Sequence, residues 1–70
     1  MILKYINSFG INDYPHIHYV CTNEIIVHDD SIEYRVFPNG VWHLLDFVEM
    51  NIKSYEIYDG GVSIGGSVNA

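Results

Sequence analysis

Short apolar runs alternate with polar residues along this chain, and pairs of turn formers separate them. Residues 1–6 (MILKYI) read as a first strand. Residues 7–15 carry Asn7, Gly10, Asn12, Asp13 and Pro15, and read as a loop. Three further runs follow, HIHYVC, EIIVHD and IEYRVF, divided by Thr22-Asn23 and by Asp29-Asp30. Such runs, rich in Ile, Val and Tyr, predict an antiparallel meander over 16–37. Two-residue loops would set Val20 opposite Ile25, Val27 opposite Ile32 and, on the reverse face, Glu24 opposite Arg35. Val20, Ile25, Val27, Ile32, Tyr34 and Val36 then share one apolar face.

The period changes after residue 40. At about 100° per residue, Val41, Leu44, Leu45, Val48 and Ile52 fall on one stripe. His43, Asp46 and Met50 fall opposite. This predicts a helix over about 41–51, with Asn39 as its N-cap and Asn51 at its end. Asn39-Gly40 is also a strong hairpin signal, and the competing picture makes Val41–Leu45 a strand. Residues 53–59 (KSYEIYD) read as a strand, Asp59-Gly60-Gly61 as a turn and Val62–Ile64 as a last short strand. The expected fold is therefore α+β: a small antiparallel sheet of four to six short strands packed against one helix. It forms a single compact domain over 1–70, with 65–70 a loop-like tail.

Composition narrows the picture. A chain of 70 residues has a thin core, burying about 60% of its unfolded surface. Chains of this size often add a disulfide, a metal or a second subunit. Cys21 is the only cysteine, so no disulfide can form within the chain. With 49% hydrophobic residues the sequence is that of a folded protein. No apolar run approaches the ~20 residues of a membrane span, and the N-terminus lacks the pattern of a signal peptide. A cytoplasmic protein is expected, in the host cytoplasm if the chain is viral. The formal charge is −6, and Lys4, Arg35 and Lys53 are scattered. That disfavours direct nucleic-acid or membrane binding and favours a partner with a basic surface.

His16 and His18 are candidate metal ligands. Residues two apart on a strand share a face, and the meander register sets His16 across from Asp29. Two imidazoles and a carboxylate make a set that holds zinc or iron. A first loop longer by one residue would bring His28 opposite His18 instead. The alternative is that both histidines are ordinary hydrogen-bonded side chains at the end of the core face, with no cofactor. The cupin-type H-x-H…E run is not matched, because Glu24 lies too far along and the glycine framework is missing. Cys21 reads as a buried strand-end residue. Asp29-Asp30 reads as a turn rather than a catalytic pair. His43 and Asp46 would neighbour each other on a helix, with no nucleophile near. No catalytic constellation emerges.

Apolar side chains exceed what one helix on one sheet can cover. Ile17, Tyr19, Ile26 and Phe37 fall on the second sheet face, and Met50 on the outer side of the helix beside Trp42 and Phe47. Residues 7–15 and the tail are the segments able to fold back over that face. Without them, such a surplus implies contact with another protein. The expected function is a small acidic protein-binding module, as a homodimer or on a partner with a basic surface. In style it matches a virus- or mobile-element-encoded inhibitor of a host defence or nucleic-acid-handling enzyme. Asp29, Asp30, Glu33, Glu56 and Asp59 would meet the basic surface, and Tyr19, Phe37, Trp42 and Tyr58 would supply the apolar anchors. The alternatives are a metal-binding domain or metalloenzyme on the His16-x-His18 pair, and an antitoxin-like or structural subunit.

Overall fold

The computed structural model describes residues 1–9 and 14–68. The turn formers Gly10, Asn12 and Asp13, and the last two residues of the expected tail, lie outside the described residues. Seven strands follow in chain order: β1 (Ile2–Phe9), β2 (Tyr14–Cys21), β3 (Glu24–Val27), β4 (Ser31–Arg35), β5 (His43–Asp46), β6 (Ile52–Asp59) and β7 (Val62–Ser67). They form two antiparallel sheets, one ordered β2-β1-β6-β7 and one ordered β3-β4-β5. The fold is all-β, and among the described residues there is no helix. This corrects the α+β expectation.

The reason lies in residues 41–51. β5 pairs with β4, setting Leu45 opposite Ile32, Leu44 opposite Glu33 and His43 opposite Tyr34. Side chains then alternate as in a strand: Leu45 is buried, while Leu44 is 60% exposed. The apparent helical stripe is not a buried face, since Val48 is 79% exposed and Val41 points to solvent too. Only one helix-like turn remains, over 47–50. Asp46 caps it, its Oδ1 accepting from the Val48 and Glu49 amides at 3.0 and 2.9 Å. Asn51 ends it at φ 52°. There the Asn51 amide donates to the Val48 carbonyl and the Ile52 amide to the Phe47 carbonyl. That is the Schellman pattern of a helix C-terminus, with Phe47 and Ile52 as its apolar contact pair. A single turn does not nucleate a helix by itself; here the core holds it.

The expected meander is corrected as well. β3 and β4 do pair with Glu24 opposite Arg35 and Val27 opposite Ile32, around the Asp29-Asp30 loop. β2, however, pairs with β1, so Val20 lies opposite Leu3 rather than Ile25. Thr22-Asn23 is a crossing between sheets, not a hairpin turn. The Thr22 amide donates to Met1 in one sheet, and the Asn23 amide to Arg35 in the other. Residues 7–9 and 14–15 extend β1 and β2 where a loop was expected, and β7 runs on to Ser67 where a tail was expected.

The apolar faces of the two sheets meet. Leu3, Tyr5 and Ile52 from the four-stranded sheet pack with Ile32 and Leu45 from the other and with Phe47 from the turn. Phe47 and Met50 are thus core or core-flanking residues, contrary to their expected place on an outer helix surface. A polar clip fixes the turn to the end of β1. The buried Asn7 amide donates to the Met50 carbonyl at 3.3 Å, and the Asn51 amide donates to the Ser8 carbonyl and, at 3.2 Å, to Ser8 Oγ. The β1–β6 register shifts at the same place, between Ile6 and Asn7. Each buried polar group so paired avoids a cost of about 1–3 kcal/mol.

Ile32→Ala is expected to cost about 2–5 kcal/mol of stability, because the side chain is fully buried. Asp46→Ala is expected to cost about 0.5–2 kcal/mol through the lost cap. Val48→Ala should stay within about 0.5 kcal/mol. Urea denaturation checks the order; an Ile32 variant no weaker than the Val48 variant contradicts the packing described.

Candidate functional site

His16 and His18 do share a face of β2, opposite Asn7 and Tyr5 of β1. His18 stacks on the Tyr5 ring at 4.6 Å, and its Nε2 lies 3.0 Å from Asn7 Oδ1. Because the Asn7 amide nitrogen is turned to Met50, the oxygen faces His18, so Nε2 is the donor. A metal would therefore find only Nδ1 free on this ring. The third ligand is not in place. Since β2 pairs with β1, the register that set His16 across from Asp29 does not exist; Asp29 sits at the β3–β4 tip in the other sheet. His28 Nε2 instead meets Glu33 Oε1 on its own hairpin, at 3.2 Å. Among the described residues no three His, Cys, Asp or Glu side chains gather as a metal site.

Two other expected neighbours separate. His43 and Asp46 lie three apart on a strand, where such residues point to opposite faces. His43 stacks on Tyr34 at 5.0 Å while Asp46 caps the turn. Cys21 is exposed, not buried, because its pairing with Ile2 sets it on the outer side of the sheet.

The chemistry that does assemble lies on the two outer sheet faces. On the four-stranded sheet, the side chains turned away from the core form cross-strand rows. One row runs Tyr19, Lys4, Glu56, Gly65 across β2, β1, β6 and β7. The next runs Cys21, Ile2, Tyr58, Ser63, and on the other side lie Ile17, Ile6 and Ser54. Lys4 Nζ is 3.7 Å from Glu56 Oε1 and 6.0 Å from the Tyr19 ring centre. The Tyr58 hydroxyl donates to Glu56 Oε2. That hydrogen bond above all holds the Glu56 carboxyl below its usual range, against partial desolvation and with help from Lys4. The same bond raises the Tyr58 phenol. This face is charge-balanced at its centre and apolar over its β2–β1 half: Tyr19 is 66% exposed, Ile17 56% and Ile2 41%.

The outer face of the three-stranded sheet differs in sign. Ile26, Glu33 and Leu44 form one row across β3, β4 and β5, and Glu24 pairs with Arg35 beside it. Arg35 meets Glu24 Oε1 at 2.6 Å and lies 4.8 Å from the centre of the Trp42 ring. Asp29 and Asp30 sit at the tip, where Asp30 accepts from the Ser31 hydroxyl. Phe37 is exposed in the β4–β5 connection. Glu24, Asp29, Asp30 and Glu33 here, with Asp46 committed to the turn amides, outnumber the one arginine.

The structure thus divides the nine residues expected to bind protein. Phe37, Trp42, Asp29, Asp30 and Glu33 belong to the acidic face and its rim. Tyr19, Tyr58 and Glu56 belong to the balanced face, and Asp59 ends β6 beside the Gly60-Gly61 turn. Ile2, Lys4 and Ile6 were not singled out. Their alternation with Leu3 and Tyr5 was the available signal.

Comparisons of the chain with protein families, with curated proteins and with solved structures return no match. Among the described residues no helix is long and apolar enough to cross a membrane.

A carboxyl whose folded value is depressed contributes stability above its unfolded value and loses it as pH falls through the folded one. Tyr58→Phe removes the largest cause of that depression at Glu56. The Glu56 midpoint, followed by NMR of its side-chain carboxyl carbon, is expected to move up. An unchanged midpoint contradicts the hydrogen bond's role.

Proposed function

We propose that this chain acts by binding, and that the acidic outer face of the three-stranded sheet docks a protein with a basic surface. One observation carries the reading: Glu24, Asp29, Asp30 and Glu33 share a face or its tip with Ile26, Leu44 and Trp42, and among the described residues Arg35 is the only lysine or arginine there. Exposed aliphatic and aromatic groups inside a field of one sign suit an interface that is steered by charge and held by apolar contact. Arg35 is already committed to Glu24 and Trp42, so it does not cancel the field at the tip. The net charge of −6 acts in the same direction. A surface that handles nucleic acid is basic because it must meet phosphate. The role that fits is therefore an inhibitor occupying such a surface on a host defence or nucleic-acid-handling enzyme.

Capture from an extract of the natural host, with the wild-type chain and an Asp29→Lys/Glu33→Lys chain as parallel baits, tests this. At least one protein is expected on the wild-type bait at about 50 mM salt that is released at about 300 mM, where screening is stronger, and that is missing from the variant bait. If every captured protein binds both baits equally and ignores salt, the reading fails.

A further inference from the structure

The outer face of the four-stranded sheet is different in kind, and we propose that it is covered by a second copy of the same chain. The inference uses the sheet opposite the acidic face and stands or falls separately from the reading above.

Self-association needs a surface that complements itself about a two-fold axis. For two sheets packed face to face, that axis lies in the plane between them. Consider an axis parallel to the strands, above the gap between β1 and β6. It carries β1 onto the partner's β6 and β2 onto the partner's β7. Lys4 of each copy then faces Glu56 of the other, twice over. Ile2 faces Tyr58, Cys21 faces Ser63, and Tyr19 faces Gly65. The pairs follow from the observed rows alone.

Both charge and size favour this arrangement. The β2–β1 half carries the bulky groups Ile17, Tyr19, Ile2 and Ile6, while Ser54, Ser63 and Gly65 leave much of the β6–β7 half low. Gly65 has no room for a side chain, since a Cβ there would lie 2.9 Å from Glu56 Cα. The strand-parallel axis lays the bulky half of each copy on the low half of the other. An in-plane axis perpendicular to the strands fails on both counts. It puts Lys4 over Lys4, Glu56 over Glu56 and the bulky halves on each other, a like-charge and steric penalty. The Lys4–Glu56 pair therefore selects one orientation as well as one occupant. Two lysines and two glutamates at the centre sum to zero, so the desolvated cluster is compensated. The acidic face on the opposite sheet has no such property, because a copy of itself would bring carboxylate onto carboxylate.

The test is charge complementation read by sedimentation velocity. Wild type is expected to dimerise as concentration rises. Lys4→Glu and Glu56→Lys should each weaken the dimer at least tenfold, with folding checked by circular dichroism. An equimolar mixture of the two should restore it, because each reversed lysine site meets a reversed glutamate site in the other chain. The double variant Lys4→Glu/Glu56→Lys should dimerise alone. Ile17→Lys alters a side chain too exposed to bear on folding and should also give a monomer. Wild type that stays monomeric to about 1 mM, the range of weak association, overturns the proposal. So does a mixture of the two reversals that remains monomeric, or an undiminished dimer in the Ile17 variant.

Discussion

Leu3 and Tyr5 on β1 hold the two sheets together. They face Ile32 and Leu45 across the interior, with Phe47 and Ile52 closing one end. β1 is hydrogen-bonded on both sides, to β2 and to β6, so it fixes the four-stranded sheet and presents the centre of the core at once. Burial and the nearby Tyr34 hold the Tyr5 phenol above its usual range, as expected for a hydroxyl kept neutral inside. A two-layer structure of this size has one interior and two outer faces. Among the described residues six buried apolar side chains fill the interior. Tyr34, Tyr55 and other partly buried side chains pack against it, while Tyr19, Phe37 and Trp42 remain exposed on the outer faces and their rims, and both proposed interactions draw on that surplus.

The polar clip around Asn7 joins this core to its edge. Asn7 orients His18 on one side and holds the Met50 carbonyl on the other, while Ser8 and Asn51 tie the capped turn to β1. A histidine that looks like a metal ligand in the sequence is thereby committed to a structural hydrogen bond. The same commitments recur on the surface: Lys4 belongs to Glu56, and Arg35 to Glu24 and Trp42. Of three basic residues, Lys53 alone has no ion pair among the described residues. What distinguishes the two outer faces is therefore the number of acids each pair must balance.

Local features of the fold were legible and long-range ones were not. The β3–β4 hairpin could be read with its register, because Asp29-Asp30 sits between two alternating runs. The shared face of His16 and His18 also follows from strand spacing. Which strand lies beside β2 does not, since period two is satisfied equally by β1 and β3. That one ambiguity misplaced Asp29 and with it the metal set. The helix arose from a coincidence. A strand ending at Asp46, followed by a capped turn, spaces Leu44, Leu45, Val48 and Ile52 as a helical stripe would, although of these only Leu45 and Ile52 are buried. Asp46-x-x-Glu49 was the informative pattern, resembling a capping box and placing the start of the turn seven residues after Asn39. The division of aromatic and acidic residues between two faces depends wholly on the sheet order, and could not be read from the chain.

The balanced face and the acidic face make opposite demands on a partner, and NMR of the methyl and aromatic groups as concentration is raised separates them most directly. Ile2, Ile6, Ile17, Tyr19 and Tyr58 are expected to shift together as copies associate, while Ile26, Leu44 and Trp42 stay where they are in dilute solution. Shifts centred on Ile26, Leu44 and Trp42, or spread evenly over both sheets, would contradict this.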